Sequence, residues 1–206
     1  YVFIAVLAIN LSNCSGKKSE PINNISDLKG KVLGMKYSSA PQEFVFNALT
    51  KAIGGAPKEI LYFNRSADLV AAIKSGKIDA APFMKFVADY YTKRNNDLTA
   101  LSKIERSECD VLMAVRSEDQ KLKDDLDSAI TALQENGMLK KLEDECITNL
   151  PVNNEPSNIE IPKIEGAKTY YVGITGDYAP LDYIAADGKP AGYNVALITE
   201  IGKLLN

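Results

Sequence analysis

The chain of 206 residues contains no histidine and no tryptophan. Histidine is the commonest general base and the commonest metal ligand, so its absence excludes a Ser-His-Asp or Cys-His catalytic centre. The sequence also lacks metal-ligand spacing, a phosphate-binding P-loop and a G-x-G-x-x-G fingerprint. We therefore expect a protein that is not an enzyme and that carries neither a metal nor an organic cofactor.

Clusters of positive charge are also missing. The formal net charge is −3, and the longest cationic runs are pairs such as Lys17-Lys18 and Lys140-Lys141. A nucleic-acid-binding surface needs a basic stripe, so no nucleic-acid partner is expected. Hydrophobic residues make up 46% and charged residues 25% of the chain, which is typical of a globular protein with one or two domains.

The one long apolar run occupies residues 1–11 and is too short to span a bilayer as a helix. It fits the apolar region of a secretory signal, and the following Leu11–Cys14 segment (LSNC) resembles a lipoprotein signal-peptidase box. Asn13 departs from the Gly or Ala usual there. We predict a signal segment over 1–14, acylation of Cys14 and a tether over 15–24. The expected location is extracytoplasmic, either lipid-anchored to the cell membrane or in the periplasm. The alternative is a buried N-terminal strand with a chance cysteine.

Three cysteines are present in all. If Cys14 carries lipid, Cys109 and Cys146 remain as an even pair in an oxidising compartment. The sequence leaves two alternatives open at this point, a disulfide between them or two separate buried thiols.

Strand and helix patterns alternate through the first three quarters of the chain. We predict strands at 31–35, 59–63, 78–81 and 109–115 and helices at 41–53, 66–75, 85–94, 118–136 and 138–148. Such alternation indicates an α/β fold with mostly parallel sheets and flanking helices. A proline-rich linker over 151–168 then precedes a strand at 169–174, a hairpin turning at Asp187-Gly188 and a last helix from Asn194.

Two stretches resemble the family 3 bacterial extracellular solute-binding proteins, the polar amino-acid cluster of type II periplasmic binding proteins. The first includes Ser26–Gly34 (SDLKGKVLG), Ala72–Ala80 (AIKSGKIDA) and Val111–Arg116 (VLMAVR). The second joins Val172–Leu181 (VGITGDYAPL) to Asp187–Val195 (DGKPAGYNV). The resemblance implies a type II periplasmic-binding-protein-like fold in which residues 25–150 form lobe two with its return helices.

Residues 169–206 then match only the start of lobe one. Lobe one, which is the second lobe along this chain, is therefore expected to be incomplete. The order of the two stretches is the reverse of the family's order. A truncated tandem protein and a circular permutation both explain this reversal.

The resemblance also implies a ligand site in lobe one. Tyr178 matches the family's cleft aromatic, which covers the ligand, and Asp177 precedes it. Thr175 stands where several relatives place the Asp that binds the ligand ammonium. A carboxylate in a tight turn is alternatively a local cap, and Tyr178 is alternatively a turn tyrosine.

In lobe two, the segment Lys36–Ala40 (KYSSA) matches the family turn whose N–H and hydroxyl groups hold the ligand carboxylate. Ser38 and Ser39 can donate in this way, or they can simply cap the next helix. Tyr37 replaces the family glycine, and Met84 occupies the position of a ligand-binding Asp. These changes predict an altered ligand or a lost one.

The resemblance thus implies a protein that binds an amino acid or similar small polar solute. Its partners would be the membrane permease of an ABC importer and the membrane, reached through a lipid anchor. The alternatives are the extracellular sensor domain of a receptor, the binding module of a cell-wall lytic enzyme, and a degenerate domain with a purely structural role.

Overall fold

The computed structural model describes residues 3–9, 22–37, 42–101, 104–105, 112–152, 159 and 165–205. The chain divides into two compact units, Tyr1–Cys109 (unit 1) and Asp110–Asn206 (unit 2). Cys14, Ser38, Ser39, Cys109 and most of the predicted linker lie outside the described residues.

Unit 1 is built on a six-stranded sheet with the order β3-β2-β4-β1-β5, and β6 also pairs with β1. Its strands are β1 (Phe3–Ile9), β2 (Val32–Lys36), β3 (Glu59–Phe63), β4 (Ala80–Met84), β5 (Leu98–Ala100) and β6 (Ile104–Glu105). β2 runs parallel to β3 and to β4, whereas β1 is antiparallel to each of its neighbours. The predicted α/β architecture is thus confirmed, and its parallel part is formed by β3, β2 and β4.

The apolar run at the start of the chain forms strand β1 in the structure. It pairs with β4 over five residues, from Ile4 opposite Met84 to Ala8 opposite Ala80. On its other side it pairs with both β5 and β6. Ala8 is completely buried in the core. The structure therefore shows the alternative that the sequence left open for this run, a buried strand.

Each helix of unit 1 follows a strand. Each helix also has apolar residues on one face, and this face packs on the sheet. The helices are α1 (Gln42–Ile53), α2 (Ser66–Lys74) and α3 (Lys85–Arg94). The packing of α2 on β2 is close, because an added Cβ at Gly34 would overlap the side chains of Ile78 and Leu69. One core cluster joins β1 and β2 to α1 through Ala8, Leu33, Leu49 and their neighbours.

The described residues of unit 2 form three helices, α4 (Gln120–Glu135), α5 (Met138–Glu143) and α6 (Tyr193–Leu204), and α5 continues as a π-helical segment over Asp144–Thr148. Gly137 joins α4 to α5 with a φ of 78°, a left-handed conformation that favours glycine. Ala129 and Leu133 of α4 pack against Ile201 of α6. The predicted helix pair hinged at Gly137 is confirmed.

The only sheet that unit 2 shows in its described residues is a three-stranded antiparallel meander. Its strands are β7 (Asp177–Tyr178), β8 (Asp182–Ile184) and β9 (Pro190–Ala191). The predicted hairpin is confirmed: Gly188 lies in its turn, with a φ of 81° and its N–H donated to the carbonyl of Ala185 at 2.9 Å.

Two strand predictions in unit 2 are wrong. The described part of the first, 112–115, and the whole of the second, 169–174, form no strand. Leu112 and Tyr171 are exposed by 84% and 97%. A strand exists only through hydrogen bonds to a neighbour, and none of the described residues pairs with either segment. Among the described residues, no helix has the length and apolar character needed to cross a membrane.

Candidate functional site

In unit 1, two tyrosines form an exposed aromatic pair where parallel strands end. Tyr37 directly follows β2, and Tyr62 lies near the end of the neighbouring β3. Their rings stack with centroids 5.1 Å apart and an interplanar angle of 28°. The Tyr37 N–H donates to the Phe63 carbonyl at 2.8 Å and fixes the chain at this edge. Tyr37 is exposed by 55% and Tyr62 by 42%, so solvent reaches the pair.

The position of this pair suits a binding role. In open α/β sheets, ligands bind outside the carboxyl ends of the strands. An exposed aromatic face can cover an apolar side chain or stack on an ammonium or guanidinium group. The sequence prediction selected Tyr37 and missed Tyr62. The parallel register, which sets Met35 opposite Tyr62, was the missing information.

Met84 ends β4, the other parallel neighbour of β2, and immediately precedes α3. Its side chain is half-buried. Directly after it, Lys85 pairs with Asp89 one turn along α3. Because Met84 has no charge, it can offer only apolar contact to a ligand.

Asp79 holds the start of β4 against β2. Its carboxylate accepts the Val32 N–H at 2.8 Å, and its own N–H donates to the Val32 carbonyl at 2.7 Å. This reciprocal pair satisfies two backbone groups that the sheet would otherwise leave open. Asp79 therefore has a structural role.

In unit 2, the other predicted ligand residues lie on the turn that leads into the meander. Asp177 and Tyr178 form β7, and both side chains are half-buried. Opposite them are Tyr183 and Asp182 of β8. Thr175 lies two residues before β7 and is exposed. The structure thus brings Thr175, Asp177 and Tyr178 together on one short segment beside β8.

A buried carboxylate that the sequence prediction missed organises this turn. Asp182 is only 4% exposed. One carboxylate oxygen, Oδ1, accepts the Thr175 hydroxyl at 2.5 Å and the Gly176 N–H at 2.8 Å. The other oxygen, Oδ2, accepts the side-chain amide of Asn194 at 2.8 Å. A charged residue between buried Leu181 and Tyr183 was the available signal, because buried carboxylates are found with partners.

The backbone around Asp182 is held against the first turn of α6. The Tyr193 and Asn194 N–H groups donate to the carbonyls of Pro180 and Leu181 at 3.1 and 2.8 Å. Gly192, with a φ of 106°, makes this approach possible, since a Cβ there would lie 2.5 Å from the Leu181 carbonyl oxygen. The turn is therefore fixed to the helix by backbone and side-chain bonds.

Cys146 is a buried cysteine in the π-helical segment, and it forms no disulfide with another described residue. Burial raises the pKa of this thiol, and the negative charge of Glu145 raises it further. Since Cys109 lies outside the described residues, the question of a disulfide or two separate thiols stays a prediction. In the described part of the chain, no group of three or more His, Cys, Asp or Glu side chains could hold a metal ion.

Comparison with known proteins gives one family model, described as NMT1/THI5 like, which matches residues 1–124. The arginine-binding extracellular protein ArtP of Bacillus subtilis (strain 168) is 34% identical over 134 residues. That alignment covers 64% of this chain and 51% of ArtP. The chain thus spans about half the length of this curated relative.

Solved structures of amino-acid-binding proteins share the fold. The substrate-binding protein of an amino acid ABC transporter is 25% identical, with a TM-score of 0.54 over 69% of this chain and 58% of that one. An ancestral arginine-binding protein bound to arginine is 23% identical, with a TM-score of 0.53 over 69% and 59%. AbpA of Streptococcus pneumoniae, bound to L-arginine, is 22% identical, with a TM-score of 0.53 over 68% and 55%.

These matches confirm two predictions made from the sequence. The resemblance to solute-binding proteins of amino-acid transport is confirmed by the curated relative and by the substrate-binding protein that is 25% identical. The fold is that of the type II periplasmic binding proteins.

Proposed function

The chain belongs to the NMT1/THI5-like family, and we propose that it is an extracytoplasmic solute-binding protein, or a piece of one. In this proposal it binds an amino acid and presents it to the membrane permease of an ABC-type importer. Arginine is the first candidate ligand, because ArtP and AbpA are named for or bound to arginine.

The observation that carries the proposal is the exposed Tyr37–Tyr62 stack at the carboxyl edge of the parallel sheet. A flat guanidinium group stacks on an aromatic face and gains about 0.5–2 kcal/mol from the ring quadrupole. The apolar stem of arginine can at the same time pack against Met84, whose neutral side chain gives an ammonium group no partner. Tyr37 and Met84, which differ from the family pattern, therefore fit a long side chain that ends in a flat cation.

The turn of unit 2 supplies polar groups that accept hydrogen bonds, in contrast to the aromatic and apolar groups of unit 1. Asp177 and Asp182 place two carboxylates within seven residues of the exposed Thr175, and Tyr178 adds a half-buried ring. Carboxylates and hydroxyl oxygens accept hydrogen bonds from ammonium and guanidinium groups. A cationic amino acid thus fits the chemistry of both units, each considered by itself.

The proposed role is binding without chemical change of the solute. The relatives are solute-binding proteins, and a chain without histidine lacks the usual general base. We carry this over from the relatives together with the extracytoplasmic location.

Lipid attachment at Cys14 is a separate part of the prediction, and strand β1 weighs against it. In a lipoprotein the acylated cysteine is the first residue of the mature chain, so cleavage before Cys14 would remove residues 3–9. β5 and β6 would then lose the only strand that pairs with them among the described residues, and one side of β4 would become an open edge. An anchor at Cys14 and an intact β1 therefore exclude each other in one mature chain.

A thermal-shift screen of the chain against the twenty amino acids tests the proposed function. At a ligand concentration one hundred times Kd, binding stabilises the folded state by about 2.7 kcal/mol, which raises Tm by several degrees. We expect this rise for L-arginine. Tyr178→Ala should reduce it, whereas Tyr171→Ala, which removes a tyrosine exposed by 97%, should leave it unchanged.

No shift with any amino acid would contradict the proposal and would favour the degenerate, structural domain. A shift that Tyr178→Ala leaves unchanged would place binding outside the turn of unit 2.

A further inference from the structure

The start of helix α3 lies at the sheet edge of unit 1 that carries the Tyr37–Tyr62 stack. β4 pairs with β2 in parallel, with Leu33 opposite Ala80. Four residues further along both strands, this register sets Tyr37 level with Met84, the last residue of β4. Neighbouring strands of a sheet lie about 4.8 Å apart. The first residue of α3, which directly follows Met84, therefore lies close to the tyrosine pair.

That first residue is Lys85, and it brings a positive charge to this edge. The N-terminal N–H groups of α3 add partial positive charge, and the first turn of the helix contains no acidic residue. Lys36, the last residue of β2, brings a second ammonium group to the same edge. A cationic amino acid would be repelled here unless a negative charge compensated for Lys85.

Asp89 supplies the compensating charge. Its carboxylate accepts a hydrogen bond from the Lys85 ammonium group and forms an ion pair with it, one turn along α3. The two side chains are exposed by only 39% and 37%, so solvent screens this pair less than a fully exposed one. Because the opposite charges are in contact, the pair presents no net charge to a solute at the edge.

We infer that Asp89 is a specificity-determining residue of the proposed site. It holds the Lys85 ammonium group along α3 and cancels its charge, so that the edge admits a solute with a cationic side chain. Asp89 does not touch the solute and is a positioning residue that acts through Lys85. Without Asp89, the free ammonium group would favour an anionic side chain. This role rests on the proposed function, since it concerns selection among amino acids.

An ion pair on a helix can instead be purely structural. A Lys–Asp pair one turn apart stabilises the helix slightly. Loss of such a pair would lower stability a little and would affect cationic, neutral and anionic solutes alike. Selection by charge requires that removal of Asp89 weakens the binding of a cation in particular. It also requires that neutralisation of Lys85 in the same chain reverses this loss.

The test is isothermal titration calorimetry of the whole chain with L-arginine, its neutral analogue L-citrulline, and L-glutamate. The variants are Asp89→Asn, Lys85→Gln and the double variant. The matched control is Asp97→Asn, because Asp97 pairs with Lys74 at 3.4 Å and the two side chains are exposed by 45% and 40%. Asp97 directly precedes β5, at the opposite edge of the sheet, where β4 begins.

We expect Asp89→Asn to weaken L-arginine binding by about two- to thirtyfold, which corresponds to the repulsion of two unit charges about 8 Å apart near a protein surface. Its affinity for L-citrulline should stay unchanged, and its affinity for L-glutamate should rise. The double variant should regain the L-arginine affinity of the unmodified chain. Lys85→Gln alone should bind L-arginine more tightly, because the Asp89 carboxylate is then uncompensated. Asp97→Asn should bind like the unmodified chain.

Unchanged L-arginine binding in Asp89→Asn, or equal weakening in Asp89→Asn and the double variant, would overturn the inference. The proposed function would stand in both cases, since the unmodified chain still binds L-arginine. If the unmodified chain bound none of the three probes, the inference and the arginine proposal would both fail. Lys85→Gln decides the matter if Asp89→Asn does not fold, because weaker L-arginine binding in this variant would contradict the inference.

Discussion

An apolar segment forms a strand in unit 1, whereas two apolar segments of unit 2 form none. In unit 1, Phe3–Ile9 is a strand that pairs on both sides, and Ala8 is fully buried. In unit 2, residues 169–174 (TYYVGI) are as rich in β-branched and aromatic residues, and residues 112–116 (LMAVR) are mostly apolar, but neither segment forms a strand. Leu112, Tyr171 and Val172 are exposed. The difference lies in the available neighbours, because β4, β5 and β6 offer open edges to β1, whereas the described residues of unit 2 offer none to these segments.

This contrast teaches that strand formation is decided by partners more than by composition. β-propensity describes how well a side chain fits a pleated, half-buried surface, and such a surface exists only once a second strand is present. A local pattern therefore indicates that a segment can be a strand, and the topology decides whether it becomes one.

The largest effect is expected from an aspartate placed in each apolar segment. Ala8→Asp buries an unpaired charge between β4 and β5, which should cost at least about 3 kcal/mol and unfold unit 1. Val172→Asp, at a position exposed by 55%, should change the free energy of unfolding by no more than about 0.5 kcal/mol. Urea denaturation followed by far-UV circular dichroism measures both.

If Ala8→Asp left the urea midpoint of the mature protein unchanged, β1 would not belong to the folded domain. The prediction of a signal segment over 1–14 would then be supported. A large loss from Val172→Asp would instead show that this segment is buried in solution.

Smaller effects are expected from two glycines that allow close contacts, one in each unit. Gly192→Ala should cost about 3 kcal/mol, because its φ of 106° strains any other residue and the new Cβ meets the rigid Leu181 carbonyl. Gly34→Ala should cost about 1–3 kcal/mol, since the Cβ meets the ends of the Leu69 and Ile78 side chains, which can shift. Thermal unfolding of both variants measures the difference.

Gly202→Ala is the matched control for these two glycines. It lies within α6, has no heavy atom within 4 Å of an added Cβ, and should stabilise the helix by about 0.5–1 kcal/mol. A smaller loss for Gly192→Ala than for Gly34→Ala would show that the turn of unit 2 is looser than its hydrogen bonds indicate.

Much of the fold could be predicted from the sequence because helices and short loops are encoded locally. The helix prediction at 85–94 matches α3 to the residue, and the apolar spacing at 41–53 located α1 to within one residue. Asp187-Gly188 located the hairpin turn. The strands at 109–115 and 169–174 were predicted wrongly in their described parts, because their pairing depends on residues far away in the chain.

Part of the candidate site could be predicted because its residues belong to local sequence motifs. Tyr37, Met84, Thr175, Asp177 and Tyr178 were selected by their position in motifs, and the structure puts them at strand ends and in one turn. Tyr62 and Asp182 were missed, since one depends on the parallel register of β2 and β3 and the other on a network closed by Asn194. Neither contact is visible in a linear pattern.

The central claim is the proposal that this chain binds a cationic amino acid, and the turn of unit 2 and the tyrosine pair of unit 1 are two separate candidate surfaces for it. Titration of the ¹⁵N-labelled chain with L-arginine, followed by two-dimensional ¹H–¹⁵N NMR, tests it most directly. We predict saturable shifts of the Thr175, Gly176 and Tyr37 amides, with little change along the exposed face of α4. Shifts confined to α4, or no shifts at millimolar arginine, would contradict the account.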